Sequence, residues 1–139
     1  MDFLYTANCK INEYDDVEIV VKDGEQIFHF RVALKDIVLP EFFSNMTRLT
    51  QGKSNSFSVD GFSLMTYYKF TRNGSYVDIQ LKDSHIRKSY RFKFELFLKA
   101  IHGAFKTYLR EQRLKGEPEE NVDILIRWEE FERALKLFS

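Results

Sequence analysis

The stretch that decides the fold runs from Phe62 to Asp83 and reads FSLMTYYKFTRNGSYVDIQLKD. Two runs rich in β-branched and aromatic residues flank Asn73-Gly74, a dipeptide that strongly favours a tight β-hairpin turn. A two-residue type I′ turn at this dipeptide requires a positive φ at both of its residues. It would also place Lys69 directly opposite Asp78 on the neighbouring strand.

This hairpin register separates the side chains of both strands into two faces. The apolar face carries Leu64, Thr66, Tyr68, Phe70, Val77, Ile79 and Leu81. The polar face carries Met65, Tyr67, Lys69, Thr71, Tyr76, Asp78, Gln80 and Lys82. A sheet with one apolar and one polar face is typical of antiparallel strands that pack on one side and meet water on the other.

A second hairpin is predicted about Asp23-Gly24, between the apolar runs Val17–Lys22 and Glu25–Val32. A two-residue turn at this dipeptide places Glu18 opposite His29, so the two side chains would form a cross-strand charge pair. The N-terminal part of the chain therefore also contributes antiparallel strands.

Apolar spacing and end signals predict the remaining elements. They are a helix over Leu39–Gln51, strands over Ser54–Asp60 and Lys88–Phe94, a helix over Glu95–Arg113, and a C-terminal helix from about Leu125. Pro40 suits the first position of the first helix, and Gly52 suits the position just past its end. Val122–Ile126 fits either a strand or the start of the C-terminal helix.

The predicted elements describe one α+β domain that spans residues 1–139. It consists of an antiparallel sheet of about five to six strands with two to three helices packed on one face. The apolar faces of the strands and the apolar stripe of the helix over Glu95–Arg113 supply a single core.

Composition excludes several classes of protein. No apolar run approaches the roughly 18 residues of a membrane-spanning helix. The first residues, MDFLYTANCK, lack the basic start and apolar centre of a signal peptide. A lone Cys9 cannot form an internal disulfide and fits a reducing compartment. We therefore expect a soluble, cytoplasmic protein without a membrane partner.

Charge is distributed unevenly along a chain whose formal net charge is zero. Residues 1–41 carry a net charge of −5, residues 42–116 of +9 and residues 117–139 of −4. These segments can neutralise one another in the folded protein, or they can present oppositely charged surfaces to partners. The acids of the C-terminal segment are expected to pair with the basic stripe of the preceding helix.

Side chains able to perform catalysis or bind metal are present, but no motif arranges them. The three histidines (His29, His85 and His102) have no second histidine or cysteine at a metal-ligand spacing. The chain has no nucleophile elbow, no phosphate-binding loop and no zinc-protease signature. Adjacent carboxylates on a helix point about 100° apart, so the paired acids do not converge. We expect no enzymatic activity, no metal site and no cofactor.

Two surfaces are candidate binding sites. The acidic candidate, which suits a basic protein partner, comprises Glu13, Asp15, Asp16, Glu18, Asp23 and Glu25. The basic and aromatic candidate, which suits nucleic acid, comprises Tyr67, Lys69, Tyr76, Lys82, Arg91 and Lys93. An ordinary solvated sheet face would have a similar composition to the second set.

Four segments resemble small uncharacterised bacterial α+β proteins in layout and apolar pattern. They are Asp16–Leu34 (DVEIVVKDGEQIFHFRVAL), Leu39–Leu49, Tyr76–Leu81 (YVDIQL) and Phe92–Leu109. Some of those proteins are encoded beside polymorphic or contact-dependent toxins and act as their immunity proteins. The resemblance implies a non-catalytic protein-binding domain that occludes the active site of a toxin, with a basic toxin domain as partner. The alternative is a nucleic-acid-binding or phage-type accessory protein that uses the Tyr/Lys/Arg sheet face.

Overall fold

Seven strands and three helices occupy the residues that the computed structural model describes, 5–62 and 65–138. The strands are β1 (Thr6–Ile11), β2 (Val17–Lys22), β3 (Ile27–Val32), β4 (Ser56–Asp60), β5 (Tyr67–Asn73), β6 (Tyr76–Lys82) and β7 (Arg87–Lys93). The helices are α1 (Lys35–Thr50), α2 (Phe94–Leu114) and α3 (Val122–Leu137). The predicted α+β class is confirmed.

The strands form two antiparallel sheets rather than the predicted single sheet of five to six strands. Sheet A has the order β1-β2-β3, and sheet B has the order β4-β5-β6-β7. The prediction omitted β1, whose inward side chains are Ala7, Cys9 and Ile11. These side chains are mostly small, so the alternation that marks a half-buried strand is weak in the sequence.

The central hairpin forms between β5 and β6, but its register differs from the prediction by two residues. Asn73 is the last residue of β5, and Gly74-Ser75 form the two-residue turn. Only the glycine has a positive φ, of 63°, which is the pattern of a type II′ turn. This turn avoids the left-handed conformation that a type I′ turn would impose on Asn73. Lys69 therefore faces Gln80 rather than Asp78.

A shift of two residues leaves the side chains of β5 and β6 on their predicted faces, because side chains alternate with a period of two. Tyr68, Phe70, Val77 and Ile79 are buried, and the predicted polar face is open to solvent. Leu64, which was assigned to the apolar face, lies outside the described residues.

The hairpin of β2 and β3 differs from the prediction in the same way. Its loop has four residues, Asp23–Gln26, because the Asp23 carboxylate accepts hydrogen bonds from the backbone N–H of Glu25 (3.0 Å) and of Gln26 (2.8 Å). Glu18 therefore faces Arg31 rather than His29. The Glu18 carboxylate still lies 3.5 Å from His29 Nδ1, so the expected contact forms diagonally.

Helix α1 begins earlier than predicted. It starts at Lys35, so Pro40 lies inside the helix rather than at its first position. The preceding residue, Leu34, has a left-handed backbone (φ 54°) that turns the chain into the helix. Proline this close to a helix start removes only one hydrogen bond from the first turns. The predicted C-terminal signal is confirmed, since Gly52 has a φ of 73° just past the helix end.

The predictions of the two C-terminal helices are confirmed. Helix α2 matches its predicted range to within one residue at each end. Helix α3 begins at Val122, so the ambiguous segment is helical, and the Asn121 side chain caps it by accepting from the N–H of Ile124 (3.1 Å). Phe94, assigned to the preceding strand, is instead the first residue of α2.

One continuous core joins both sheets and all three helices. Phe28 of β3 packs against Phe70 and Phe92 of sheet B, with ring centroids 6.2 and 6.3 Å apart. Phe43 of α1 contacts Trp128 of α3 at 5.3 Å, so the helices close the remaining side of the core. The outer face of sheet B is left open to solvent within the described ranges.

Side chains, rather than a shared strand pairing, connect the two sheets. The Tyr68 hydroxyl accepts a hydrogen bond from the N–H of Arg31 (2.9 Å) and donates one to the carbonyl of the same residue (3.0 Å). The Gln26 amide donates to the carbonyl of Arg91 (2.8 Å) and accepts from its N–H (3.2 Å). Arg31 and Arg91 lie on edge strands, where one N–H and one C=O have no neighbouring strand to pair with. Each contact therefore satisfies both of these backbone groups.

Arg72 of β5 fixes the end of α1 against sheet B. Its guanidinium donates to the carbonyls of Leu49 (3.0 Å) and Thr50 (3.4 Å) in the last turn of the helix. The same group lies over the rings of Phe94 (4.6 Å) and Phe138 (5.3 Å). A cation at this position is favourable for the helix dipole and adds donors to carbonyls of the last turn.

Candidate binding surfaces

The predicted acidic surface does not form a single patch. Glu13, Asp15, Asp16 and Glu18 lie in or beside the turn between β1 and β2, whereas Asp23 and Glu25 lie in the loop at the other end of β2. Four residues of β2 lie between Glu18 and Asp23, so even the nearest members of the two groups are about 17 Å apart along the strand. The six acids are close together in the sequence, but the fold separates them.

Several of these acids are already engaged within the chain. Glu18 pairs with Lys10 (3.8 Å) and contacts His29, and Asp16 pairs with Arg31 (3.7 Å). Burial opposes ionisation of Asp23, but hydrogen bonds from its own loop outweigh burial and lower its pKa. The Asp23 carboxylate is therefore occupied in holding the β2–β3 loop.

The predicted basic and aromatic residues do share one surface, the outer face of sheet B. Strand pairing arranges this face in rows across the sheet. The rows are Asp60–Tyr67–Lys82–Arg87, Ser58–Lys69–Gln80–Ser89, Ser56–Thr71–Asp78–Arg91 and Asn73–Tyr76–Lys93. Arg87 belongs to this face although the prediction omitted it, because the last strand begins one residue earlier than expected.

One cation of this face is held internally. Arg91 forms two hydrogen bonds to the Asp78 carboxylate, at 2.6 and 3.0 Å, and these bonds lower the pKa of that carboxyl group. The Arg91 guanidinium also lies 5.1 Å from the centre of the Tyr76 ring. Among the described residues, the other cations of the face, Lys69, Lys82, Arg87 and Lys93, form no ion pair. They remain available to an external anion.

A third surface, which the sequence did not indicate, is an apolar corner formed by Leu34, Ile37, Phe62 and Met65. These side chains are between 48% and 70% exposed. A hydrogen bond from the N–H of Ala33 to the carbonyl of Gly61 (2.8 Å) brings the start of α1 beside the β4–β5 connection. Four large apolar side chains thus meet solvent where these two segments adjoin.

The backbone of the apolar corner is strained. Leu34, Phe62 and Met65 have φ values of 54°, 53° and 54°. This left-handed conformation favours glycine or asparagine and costs a larger residue about 1–3 kcal/mol. A smaller, more flexible residue would satisfy the fold at lower cost, so stability of the fold does not explain these exposed apolar side chains.

A cleft of about 270 Å³ lies within the corner. Ile37 and Phe62 line it together with the more deeply placed Val38, Phe42 and Val59. The lining also includes two carboxylates, Glu41 and Asp60, and no basic side chain. The cleft is consequently apolar at its base and acidic at its rim.

Sequence reasoning missed the corner because it placed the start of α1 after Ile37. With the helix begun at Lys35, Ile37 lies about 140° around the axis from the buried Phe42. An isoleucine so far from the apolar stripe of its helix is the signal that could have revealed the surface.

A mixed-charge cluster lies between α2 and α3. His102 Nε2 lies 2.9 Å from the Glu132 carboxylate, and its ring stacks on Trp128 with centroids 5.0 Å apart. This contact confirms the expected pairing of the two helices for one residue of the basic stripe. Lys106 and Arg113 instead line an adjoining cleft of about 370 Å³, and neither forms an ion pair with a residue that the structure describes.

Side chains that could bind a metal ion do not converge in the described part of the chain. Within residues 5–62 and 65–138, no group of three or more His, Cys, Asp or Glu side chains is placed to hold a metal ion. Cys9 points to the inner side of sheet A, and burial raises the pKa of its thiol to about 12. Its thiolate is therefore scarce at neutral pH.

Comparison with known proteins found no matching family model, no similar curated protein and no similar solved structure. The resemblance to immunity proteins accordingly stays a prediction from the sequence. None of the helices in the described ranges is long and apolar enough to cross a membrane.

Proposed function

We propose that this chain is a non-catalytic, cytoplasmic protein-binding domain of the immunity type, which blocks a basic toxin by covering its active site. The observation that supports the proposal is the apolar corner with its acidic rim. The proposal keeps the mechanism inferred from the sequence and moves the contact surface from the divided acidic set to this corner.

The apolar part of the corner supplies the affinity in this proposal. Burying a fully exposed side chain of this size contributes about 1.5–3 kcal/mol, and between 48% and 70% of each corner side chain is still exposed and available for this burial. Two of the four side chains, Ile37 and Phe62, flank a cleft that an apolar side chain of the partner could enter. Central apolar anchors surrounded by polar groups are the usual source of binding energy in protein interfaces.

The acidic rim determines which partner fits. Glu41 and Asp60 line the cleft, with Asp60 also accepting from the N–H of Phe62 (2.8 Å). Asp36 is exposed beside Ile37 on the first turn of α1 and lies 3.8 Å from Lys35 Nζ. Carboxylates around an apolar centre favour a partner with a basic surround, such as the phosphate-binding cleft of a nuclease, and accelerate its association. A stable complex needs roughly 800 Å² from each partner, so the corner would form the centre of a larger interface.

The test compares a corner variant with a matched control. The double substitution Ile37→Asp/Met65→Asp introduces two charges into the corner, and Val122→Asp/Leu137→Asp introduces the same charges at exposed apolar positions on α3. Each tagged protein is used to purify partners from cells of the source organism, and a recovered partner is then assayed for toxicity with and without the protein.

The expected result is a basic partner in equal stoichiometry with the wild type and the α3 variant, and absent with the corner variant. The toxicity of that partner should be suppressed only by the two proteins that bind it. Equal recovery with the corner variant would show that the corner is not the contact surface. A recovered partner whose activity is unaffected would refute the inhibitory role.

A further inference from the structure

We propose that the outer face of sheet B binds single-stranded nucleic acid. This surface adjoins the apolar corner at Ser58 and Asp60, but none of its cations or tyrosines lines the cleft, and the inference does not depend on the immunity-type function. It depends on how strand pairing positions four available cations and two exposed tyrosines on one open, rigid face.

The available cations extend along the whole face. Lys82 and Arg87 are direct neighbours in the first row, Lys69 lies in the second, and Lys93 lies in the fourth. Alternate residues on a strand are about 6.6–6.8 Å apart, so the first and fourth rows are separated by about 20 Å. A chain of phosphates could therefore contact positive charge at several points across the sheet.

Each end of this path pairs an exposed tyrosine with a cation. Tyr67 (47% exposed) adjoins Lys82, and Tyr76 (39% exposed) adjoins Lys93. The Arg91 guanidinium lies over the Tyr76 ring and is itself fixed by Asp78, so the orientation of that ring is supported. Tyrosine rings that stack on bases beside cations that contact phosphates are how sheet surfaces bind single strands.

The charge balance of the face favours a polyanion. Among the residues that the structure describes, two carboxylates belong to it, and both are engaged: Asp78 with Arg91, and Asp60 with the N–H of Phe62 (2.8 Å). An acidic protein would satisfy the cations but would leave the paired tyrosines without a role. Unstacked bases use both features, so single-stranded nucleic acid is the occupant that the face fits best.

The probe is a labelled single-stranded DNA of about twelve nucleotides, a length within the range that such surfaces cover. Binding is measured by fluorescence anisotropy at several salt concentrations. If the four available cations contact phosphates, the logarithm of the association constant should fall with the logarithm of salt with a slope of about −2.8.

Two pairs of variants isolate the face. Lys69→Glu/Lys82→Glu should weaken binding at least about tenfold and reduce the slope to about −1.4. Lys106→Glu/Arg110→Glu makes the same change of net charge on α2 and should have little effect. Tyr67→Ala should weaken binding at least about fivefold, whereas Tyr14→Ala, which removes another exposed tyrosine, should not.

Three results would overturn the inference. The first is no binding at about 50 mM salt, where phosphate contacts are strong. The second is an equal loss of affinity in the two charge variants, which would show non-specific attraction. The third is full affinity in Tyr67→Ala together with equally tight binding of poly-glutamate, which would indicate an acidic protein as the partner. The Ile37→Asp/Met65→Asp variant keeps all four cations and both tyrosines, so it should bind DNA more tightly than Lys69→Glu/Lys82→Glu. Its DNA binding therefore distinguishes this inference from the proposed function.

Discussion

Removing the Tyr68 hydroxyl should weaken the connection between the two sheets. Tyr68→Phe keeps the buried ring and its packing against Phe28 and Phe30, whose centroids lie 6.0 and 4.9 Å away. It removes the oxygen that serves both the N–H and the carbonyl of Arg31. Leaving such backbone groups without a partner should lower the free energy of unfolding by about 1–3 kcal/mol.

The assay is urea unfolding followed by tryptophan fluorescence, with Tyr67→Phe as the control. Tyr67 precedes Tyr68 on the same strand but is exposed, so its loss of a hydroxyl should change stability by less than about 0.5 kcal/mol. A change in Tyr68→Phe no larger than in the control would refute the reasoning that this hydroxyl joins the sheets.

The effect of pH provides a second check on the same hydroxyl. Burial raises the pKa of Tyr68 in the folded protein. Above the ordinary tyrosine pKa of about 10, the unfolded chain therefore releases a proton that the folded chain retains, and stability falls as pH rises. Tyr68→Phe lacks this loss, so the stability difference between wild type and variant should shrink as pH increases beyond about 10.

Three further changes test other parts of the fold. Gly74→Ala should lower the free energy of unfolding by about 1–2 kcal/mol because alanine is strained at the left-handed φ of the turn. Gly103→Ala lies in the middle of α2, where an added Cβ meets nothing, and should raise the free energy of unfolding by about 0.5–1 kcal/mol. Urea unfolding should therefore show changes of opposite sign for the two variants. Arg72→Met should lower stability by about 1.5–3 kcal/mol by removing the charged hydrogen bonds at the end of α1, and an unchanged urea midpoint would contradict this role. Cys9 should react with a thiol reagent at pH 8 far more slowly in the folded than in the urea-unfolded protein, because burial raises the pKa of the thiol to about 12; similar rates would contradict its placement.

Local patterns predicted the elements and their faces, because these depend on periodicity. The apolar face of the central hairpin and the stripe of α2 are buried as expected. The registers were wrong by two residues because turn geometry, not the apolar pattern, decides between registers of equal parity. At Gly74-Ser75 and at Asp23–Gln26, the preferred φ of glycine and the Asp23 hydrogen bonds made that choice.

The candidate surfaces were predictable only where their residues share one sheet. Tyr67, Lys69 and Lys82 belong to the strands of one hairpin, so a register of the right parity was enough to group them. The apolar corner joins the start of α1 to the β4–β5 connection through the bond between Ala33 and Gly61. No local pattern encodes a contact between segments so far apart in sequence.

The side chains that connect the sheets also restrict how this protein can associate wrongly with copies of itself. An unpaired strand edge is a template for addition of a strand from another molecule. β3 and β7 are edge strands of their sheets, and both backbone groups of Arg31 and of Arg91 are already bonded to the side chains of Tyr68 and Gln26. Strand addition at β3 and β7 is therefore opposed at these two positions, so β1 and β4 are the edges where charged or proline substitutions should be tried first to suppress aggregation.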